Sequence, residues 1–157
     1  MAGERYQLHF SSLLAASATE VAERQLTVAG VNYELGPWLR MRFPVSQWQQ
    51  LRQLPRQQWL GRCWLLLLGW LPVDYDELRF EEIQTHGFVE QSRLLSQQSW
   101  RHERRIEALA GGCRLTDRVG FTPRRGVPGW LSRHIIHALF LWRHRQLRLR
   151  YSLLPHA

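Results

Sequence analysis

The chain has 157 residues, 45% of them hydrophobic and including 8 Trp, with a formal net charge of +8. That length suits one domain with one substantial core, and the apolar content excludes global disorder. All 21 basic residues are Arg and they are scattered from Arg5 to Arg150, so the charge describes a basic surface and not a concentrated phosphate-binding tail. Cys63 and Cys113 lie far apart in no C-x-x-C pattern, which gives no disulfide scaffold or zinc module and fits a reduced, cytoplasmic setting. No apolar stretch follows the first charges as in a signal peptide, and the longest apolar run, 63–71, is far short of the roughly 20 residues that span a bilayer. The expectation is a soluble protein for which peripheral membrane contact stays open.

In chain order, Tyr6, Leu8 and Phe10 alternate with Gln7, His9 and Ser11, the period of a half-buried strand. Ser17-Ala18-Thr19-Glu20 has capping-box spacing and predicts a short helix to about Leu26. A second short helix is expected up to Tyr33, ended by Gly36-Pro37. Leu39, Met41 and Phe43 then face one side of a strand and Arg40 and Arg42 the other. Trp48, Leu51 and Leu54 recur at helical spacing with Ser46 as a candidate N-cap, so this Gln-rich piece is read as a short amphipathic helix, either a lid or a fixed cap.

Five further segments of strand length follow: 61–70, 77–84, 88–95, 100–109 and 113–122. Ala110-Gly111-Gly112 predicts a tight antiparallel hairpin between the last two. Pro128 opens one long helix reaching about Ser152. Its stripe Leu131, Ile135, Ala138, Leu139 and Trp142 is assigned to the sheet. A second stripe, Ile136, Phe140 and Leu147, is left for the short helices or a second subunit, making a homodimer one option. Arg143, Arg145, Arg148 and Arg150 read as a solvated helix end.

Turning at Ala110-Gly111 sets Ala108 opposite Cys113, Ile106 opposite Leu115, Arg104 opposite Asp117 and His102 opposite Val119, all on the inner face. A buried carboxylate needs a partner, and Arg104 supplies one. The pair either fixes the hairpin register or anchors a ligand's polar end. His102 and His134 are expected to approach across the sheet–helix gap, but their spacing matches no metal site. There is no Gly-x-Ser-x-Gly elbow and no phosphate loop. General acid–base work by His102 or Asp117 is a third-ranked option.

Gly30–Met41, Trp100–Arg104, Leu115–Val119 and Trp142–Arg145, spread in order along the chain, resemble the SRPBCC (START-like, helix-grip) superfamily and its polyketide cyclase-like bacterial branch. The resemblance implies an α+β helix-grip fold: a curved antiparallel sheet of about six to seven strands wrapped on a long C-terminal helix, with two short helices after strand one. It also implies an apolar cavity for a lipid, isoprenoid, aromatic or polyketide-type molecule. Trp38, Met41, Trp64, Trp70, Phe88, Trp100, Phe121, Leu139 and Trp142 are the expected apolar lining, and His102, Arg104, Asp117 and His134 the polar contacts. No catalytic residue, cofactor, metal or specific nucleic acid is assigned. The alternatives are an interaction protein working on ribosomes, RNA or quinone biosynthesis, and a cyclase or dehydratase.

Overall fold

A computed structural model describes residues 4–45 and 48–152. Strand β1 (Tyr6–Leu14) buries Leu8, Phe10, Ser12 and Leu14, exposes His9 and Ser11 and leaves Leu13 half-buried, as its alternation predicts. Two short helices follow, α1 (Ala18–Gln25) and α2 (Val28–Leu35). Ser17 caps α1 by accepting from the Glu20 N–H at 3.1 Å, and Thr27 caps α2 by accepting from the Gly30 N–H at 2.9 Å. Gly30 lies so close to the end of α1 that an added Cβ would sit 2.6 Å from Gln25 Cα, so only glycine lets the two helices cross at this distance. Helix α2 runs two residues beyond the expected Tyr33, which brings Glu34 into it.

The remaining elements are β2 (Leu39–Arg42), a 3₁₀ turn at Leu51–Gln53, β3 (Arg62–Leu67), β4 (Leu71–Glu77), β5 (Phe80–Gln84), β6 (Gly87–Leu94), β7 (Gln97–Leu109), β8 (Gly112–Pro123) and α3 (Gly129–Tyr151). The antiparallel sheet runs β1-β8-β7-β6-β4-β3-β2, with β5 as an eighth strand on β6. β6 changes partner along its length: Gly87–Glu90 pair with β5, whereas Arg93 and Leu94 pair with β4. That switch divides the sheet into two halves that curl around one space, under α3. The predicted hairpin register holds at all four pairs, Ala108–Cys113, Ile106–Leu115, Arg104–Asp117 and His102–Val119, with Gly111 at φ +80° in the turn.

Three expectations need correction. The stretch 71–77, left between the expected strand segments 61–70 and 77–84, is itself a strand; Pro72 is tolerated near its start, and both Asp74 and Asp76 point inward. Between β3 and β4 the chain turns at Leu68 and Gly69, both at positive φ. The piece around Trp48–Leu54 forms only the 3₁₀ turn, and its candidate cap Ser46 lies outside the described residues. Its backbone is bonded by Val28 N–H to Gln49 O at 2.9 Å and Leu51 N–H to Leu26 O at 3.1 Å, with Leu51 and Leu54 buried.

The third correction concerns α3. Ile136 and Phe140 pack on Phe10, Trp100, Val119 and Phe121, and Leu147 packs on Leu14, Val21, Ile106 and Leu115. Of the stripe assigned to the short helices or a second subunit, Leu147 does meet α1, but Ile136 and Phe140 grip the sheet. Leu131 and Ile135, from the stripe assigned to the sheet, are 40% and 59% exposed and border open space. The long helix lies along β1 and α2, so one apolar stripe is buried while the other overhangs a cavity. Its position is fixed partly by Trp142 Nε1–H donating to Gly36 O at 2.9 Å.

Candidate functional site

Between α3 and the half of the sheet formed by β2, β3, β4 and β6 lies a cavity of about 780 Å³, within the range of small-molecule sites. Its walls are mainly apolar: Val31 and Leu35 from α2, Leu39 and Met41 from β2, Leu65 and Leu67 from β3, Phe88 and Leu94 from β6, Trp100 from β7. The roof is the α3 stripe that the sequence reading assigned to the sheet, Leu131, Ile135, Ala138, Leu139 and Trp142. Trp38 stands edge-on to Trp142 with ring centroids 6.0 Å apart and is half exposed, which marks the mouth.

Of the residues expected on the wall, Trp38, Met41, Phe88, Trp100, His102, Leu139 and Trp142 are there. Trp64 is on the outer face of β3, edge-on to Tyr75 at 5.3 Å, since strand alternation turns Leu65 and Leu67 inward instead. Trp70 is 71% exposed beyond the turn. Phe121 is fully buried in the core, stacked on Tyr6 at 5.3 Å. His134 is on the solvent side of α3 beside Trp130 and does not approach His102, because it lies two residues from Ile136 and so on a different helix face. Among the described residues no three His, Cys, Asp or Glu converge to hold a metal ion.

Arg104 and Asp117 point inward beneath α3, as expected, but they lie behind the cavity wall in a closed network. Arg104 forks onto Glu34 through Nη1 and Nη2 at 2.8 and 2.7 Å and onto Asp117 through Nε and Nη2, both at 2.8 Å. Glu34 also accepts from Gln25 Nε2 at 2.8 Å and Arg143 Nε at 3.1 Å. Asp117 also bonds His102 Nε2 at 2.8 Å and His144 Nε2 at 2.9 Å. Each carboxylate therefore takes part in four hydrogen bonds from three residues, which fills its acceptor sites and leaves none for a ligand. Burial by itself would raise both acids. The charges of Arg104 and Arg143 outweigh it at Glu34, whose pKa falls to about 2, and those of Arg104 and His102 hold Asp117 well below the usual carboxylate range.

Sequence reasoning missed Glu34, Arg143 and His144 in this network. The signal was a single acid at the apolar end of α2 and a helix face where Ser132, Arg143 and His144 interrupt the buried stripe. The helix end is also less solvated than expected. Arg143 is buried, Arg148 Nη1 donates to Ser12 Oγ at 3.1 Å and Arg150 Nη1 to Gln25 Oε1 at 3.0 Å. These bonds join β1, α1, α2, β7, β8 and α3 at one place.

The polar groups that do reach the cavity come from β4, which the sequence reading did not recognise, and from β6, β7 and α3. Asp76 and Glu90 both line it and are buried against one another, and Ser92 Oγ–H donates to Glu90 Oε1 at 3.0 Å. His102 Nδ1 lies 3.9 Å from Glu90 Oε2. Burial first, and then the neighbouring Glu90, push the Asp76 carboxyl well above its usual range, which favours its protonated form and a hydrogen bond to Glu90. Burial, with these acids nearby, also pushes the Cys63 thiol up and keeps it un-ionised.

The folded chain thus holds a proton that the unfolded chain releases near the ordinary Asp value, and stability falls as pH rises from there toward the folded-state pKa. Asp76→Asn, which keeps the shape without the ionisation, should raise Tm over the parent at pH 8 by more than at pH 4.5. Thermal denaturation at the two pH values checks this, and a pH-independent offset would contradict it.

A curved antiparallel sheet gripping a long C-terminal helix over an apolar cavity is the START-like, SRPBCC helix-grip fold. Solved structures of that shape include a START superfamily protein from Mycobacterium smegmatis (TM-score 0.67, 10% identity, 93% of this chain and 97% of that one). Two others are the Zhui aromatase/cyclase from a Streptomyces species (TM-score 0.64, 13% identity, 94% and 93%) and Ara h 8.0201 (TM-score 0.57, 10% identity, 90% and 97%). In sequence, residues 12–151 match the model of the family described as a domain of unknown function, DUF8410, and the chain belongs to that family. No curated protein matches it in sequence. Among the described residues no helix is long and apolar enough to cross a membrane.

Proposed function

We propose that this protein binds a hydrophobic small molecule of the lipid, isoprenoid, aromatic or polyketide class in the cavity under α3, as a carrier or binding protein and not as an enzyme. The observation that carries this reading is the cavity itself. A helix with two apolar stripes commits only one to the core and spends the other, Leu131 to Trp142, on roofing a space of about 780 Å³. Leaving that apolar surface unfilled costs contacts that a ligand would restore. The solved START superfamily protein and the aromatase/cyclase have the same fold, which is compatible with such a role without specifying the molecule.

The reading is tested with N-phenyl-1-naphthylamine, a neutral apolar dye that fluoresces on leaving water. The parent should bind it saturably. Ala138→Trp, which puts an indole into the cavity from an exposed helix position, should weaken binding about tenfold with little change in Tm. Equal binding by parent and variant would put the dye elsewhere and count against the cavity.

A further inference from the structure

Two side-chain oxygens among the described residues are buried without a hydrogen-bond partner, Asp76 Oδ1 and Gln97 Oε1, and both residues line the cavity. Such orphans are uncommon in a folded interior, because each costs the hydration it has given up. Gln97 is only 2% exposed and is held by its amide nitrogen, which donates to Ser132 Oγ at 3.1 Å and Ser96 Oγ at 3.3 Å, so the amide group is fixed while its oxygen is left over. Asp76 is 5% exposed and is committed to Glu90 on one side.

The two oxygens belong to one wall. Asp74, two residues along β4 from Asp76 and therefore about 7 Å away on the same face, bonds Ser96, the neighbour of Gln97. The charged and titratable groups facing this wall are Asp74 from β4, Glu90 from β6, His102 from β7, Arg143 from α3 and Cys63 from β3. Arg143 is already engaged by Glu34. A neutral carboxyl oxygen and an amide oxygen are both acceptors without charge. What they lack is a donor.

We infer that this wall recognises the polar end of the cavity's ligand through a neutral O–H donor, so that the ligand is an apolar alcohol or phenol and not a fully capped or purely hydrocarbon molecule. The inference rests on the ligand-binding reading above and adds the chemical class of the head group. A hydroxyl reaching Asp76 Oδ1 or Gln97 Oε1 satisfies an acceptor that is otherwise unpaired, whereas an ether oxygen brings a further acceptor against the same wall.

Displacement of N-phenyl-1-naphthylamine by 1-decanol, decyl methyl ether and decylamine at pH 7 tests this. The alcohol should compete about tenfold better than its ether, although the ether is the more hydrophobic of the two. Asp76→Leu combined with Gln97→Leu should abolish that preference, while Asp76→Asn, which keeps a carbonyl oxygen and a donor toward Glu90, should retain it. Parity of alcohol and ether, or a tighter ether, overturns the head-group assignment and leaves cavity binding intact. An amine binding more tightly than the alcohol overturns it in favour of ionic recognition by Glu90. Failure of all three to displace a bound dye defeats the ligand-binding reading, and the head-group assignment with it.

Discussion

Arg104→Met should destabilise the protein by about 3–5 kcal/mol, a large share of a domain's usual stability. The guanidinium is 1% exposed and donates four hydrogen bonds to two carboxylates that are themselves fully buried. Methionine fills much of the same volume, so the effect isolates charge: Glu34 would keep only Arg143 as a cationic partner, and Asp117 none that is permanently charged. Both acids have folded-state pKa values below their unfolded ones, so in the parent their stabilisation is complete above about pH 4.5 and is lost as pH falls through the folded-state values, about 2 for Glu34. In the variant, protonating them relieves repulsion and desolvation. The gap between parent and variant, measured by urea denaturation, should therefore narrow from pH 6 to pH 3. A gap that stays constant or widens would mean that the network is not held by charge.

Phe140→Ala should cost about 3–5 kcal/mol, and Leu139→Ala markedly less. The two residues are neighbours on α3, so helix propensity and position are matched closely and only the face differs. Phe140 has one edge on the cavity too, but it is 1% exposed, stacked on Phe10 at 5.3 Å and edge-on to His102 at 5.1 Å, so its removal would strip these contacts from the central core. Leu139 borders a cavity that already exists, so truncating it enlarges a space without creating one. Thermal or urea denaturation of the two variants compares them directly. Equal costs would mean that the cavity-facing stripe is as tightly packed as the core stripe.

That contrast also explains where the sequence could be read and where it could not. The hairpin between β7 and β8 was legible because a Gly-Gly turn fixes register, and register fixes which side chains share a face. From it followed the Arg104–Asp117 pair and its inward direction. The face of α3 was not legible, because hydrophobic periodicity marks a residue as shielded from water without distinguishing core from cavity roof. The buried face also carries Ser132, Arg143 and His144, which lower its apparent hydrophobicity.

The same limitation hid the acceptor-rich wall. Asp74 and Asp76 beside Pro72 look like turn chemistry, and only the pairing of β4 with β3 and β6 turns them inward. Trp64 was misplaced for a simpler reason: in a run as apolar as Cys63–Leu67 there is no polar alternation to tell the inner face from the outer. Glu34 could have been suspected, since a single acid in an otherwise uncharged helix asks for a buried cation. Nothing local identifies Arg104, 70 residues away, as its partner.

The most direct test of the central claim is native mass spectrometry of the full chain purified from its own host without detergent, followed by organic extraction and identification of what is released. The account predicts a population heavier than the bare chain by the mass of one apolar, hydroxyl-bearing compound, lost on extraction and much reduced in Ala138→Trp. Bare protein throughout, or bare protein accompanied by RNA, would contradict it and favour the interaction-protein alternative.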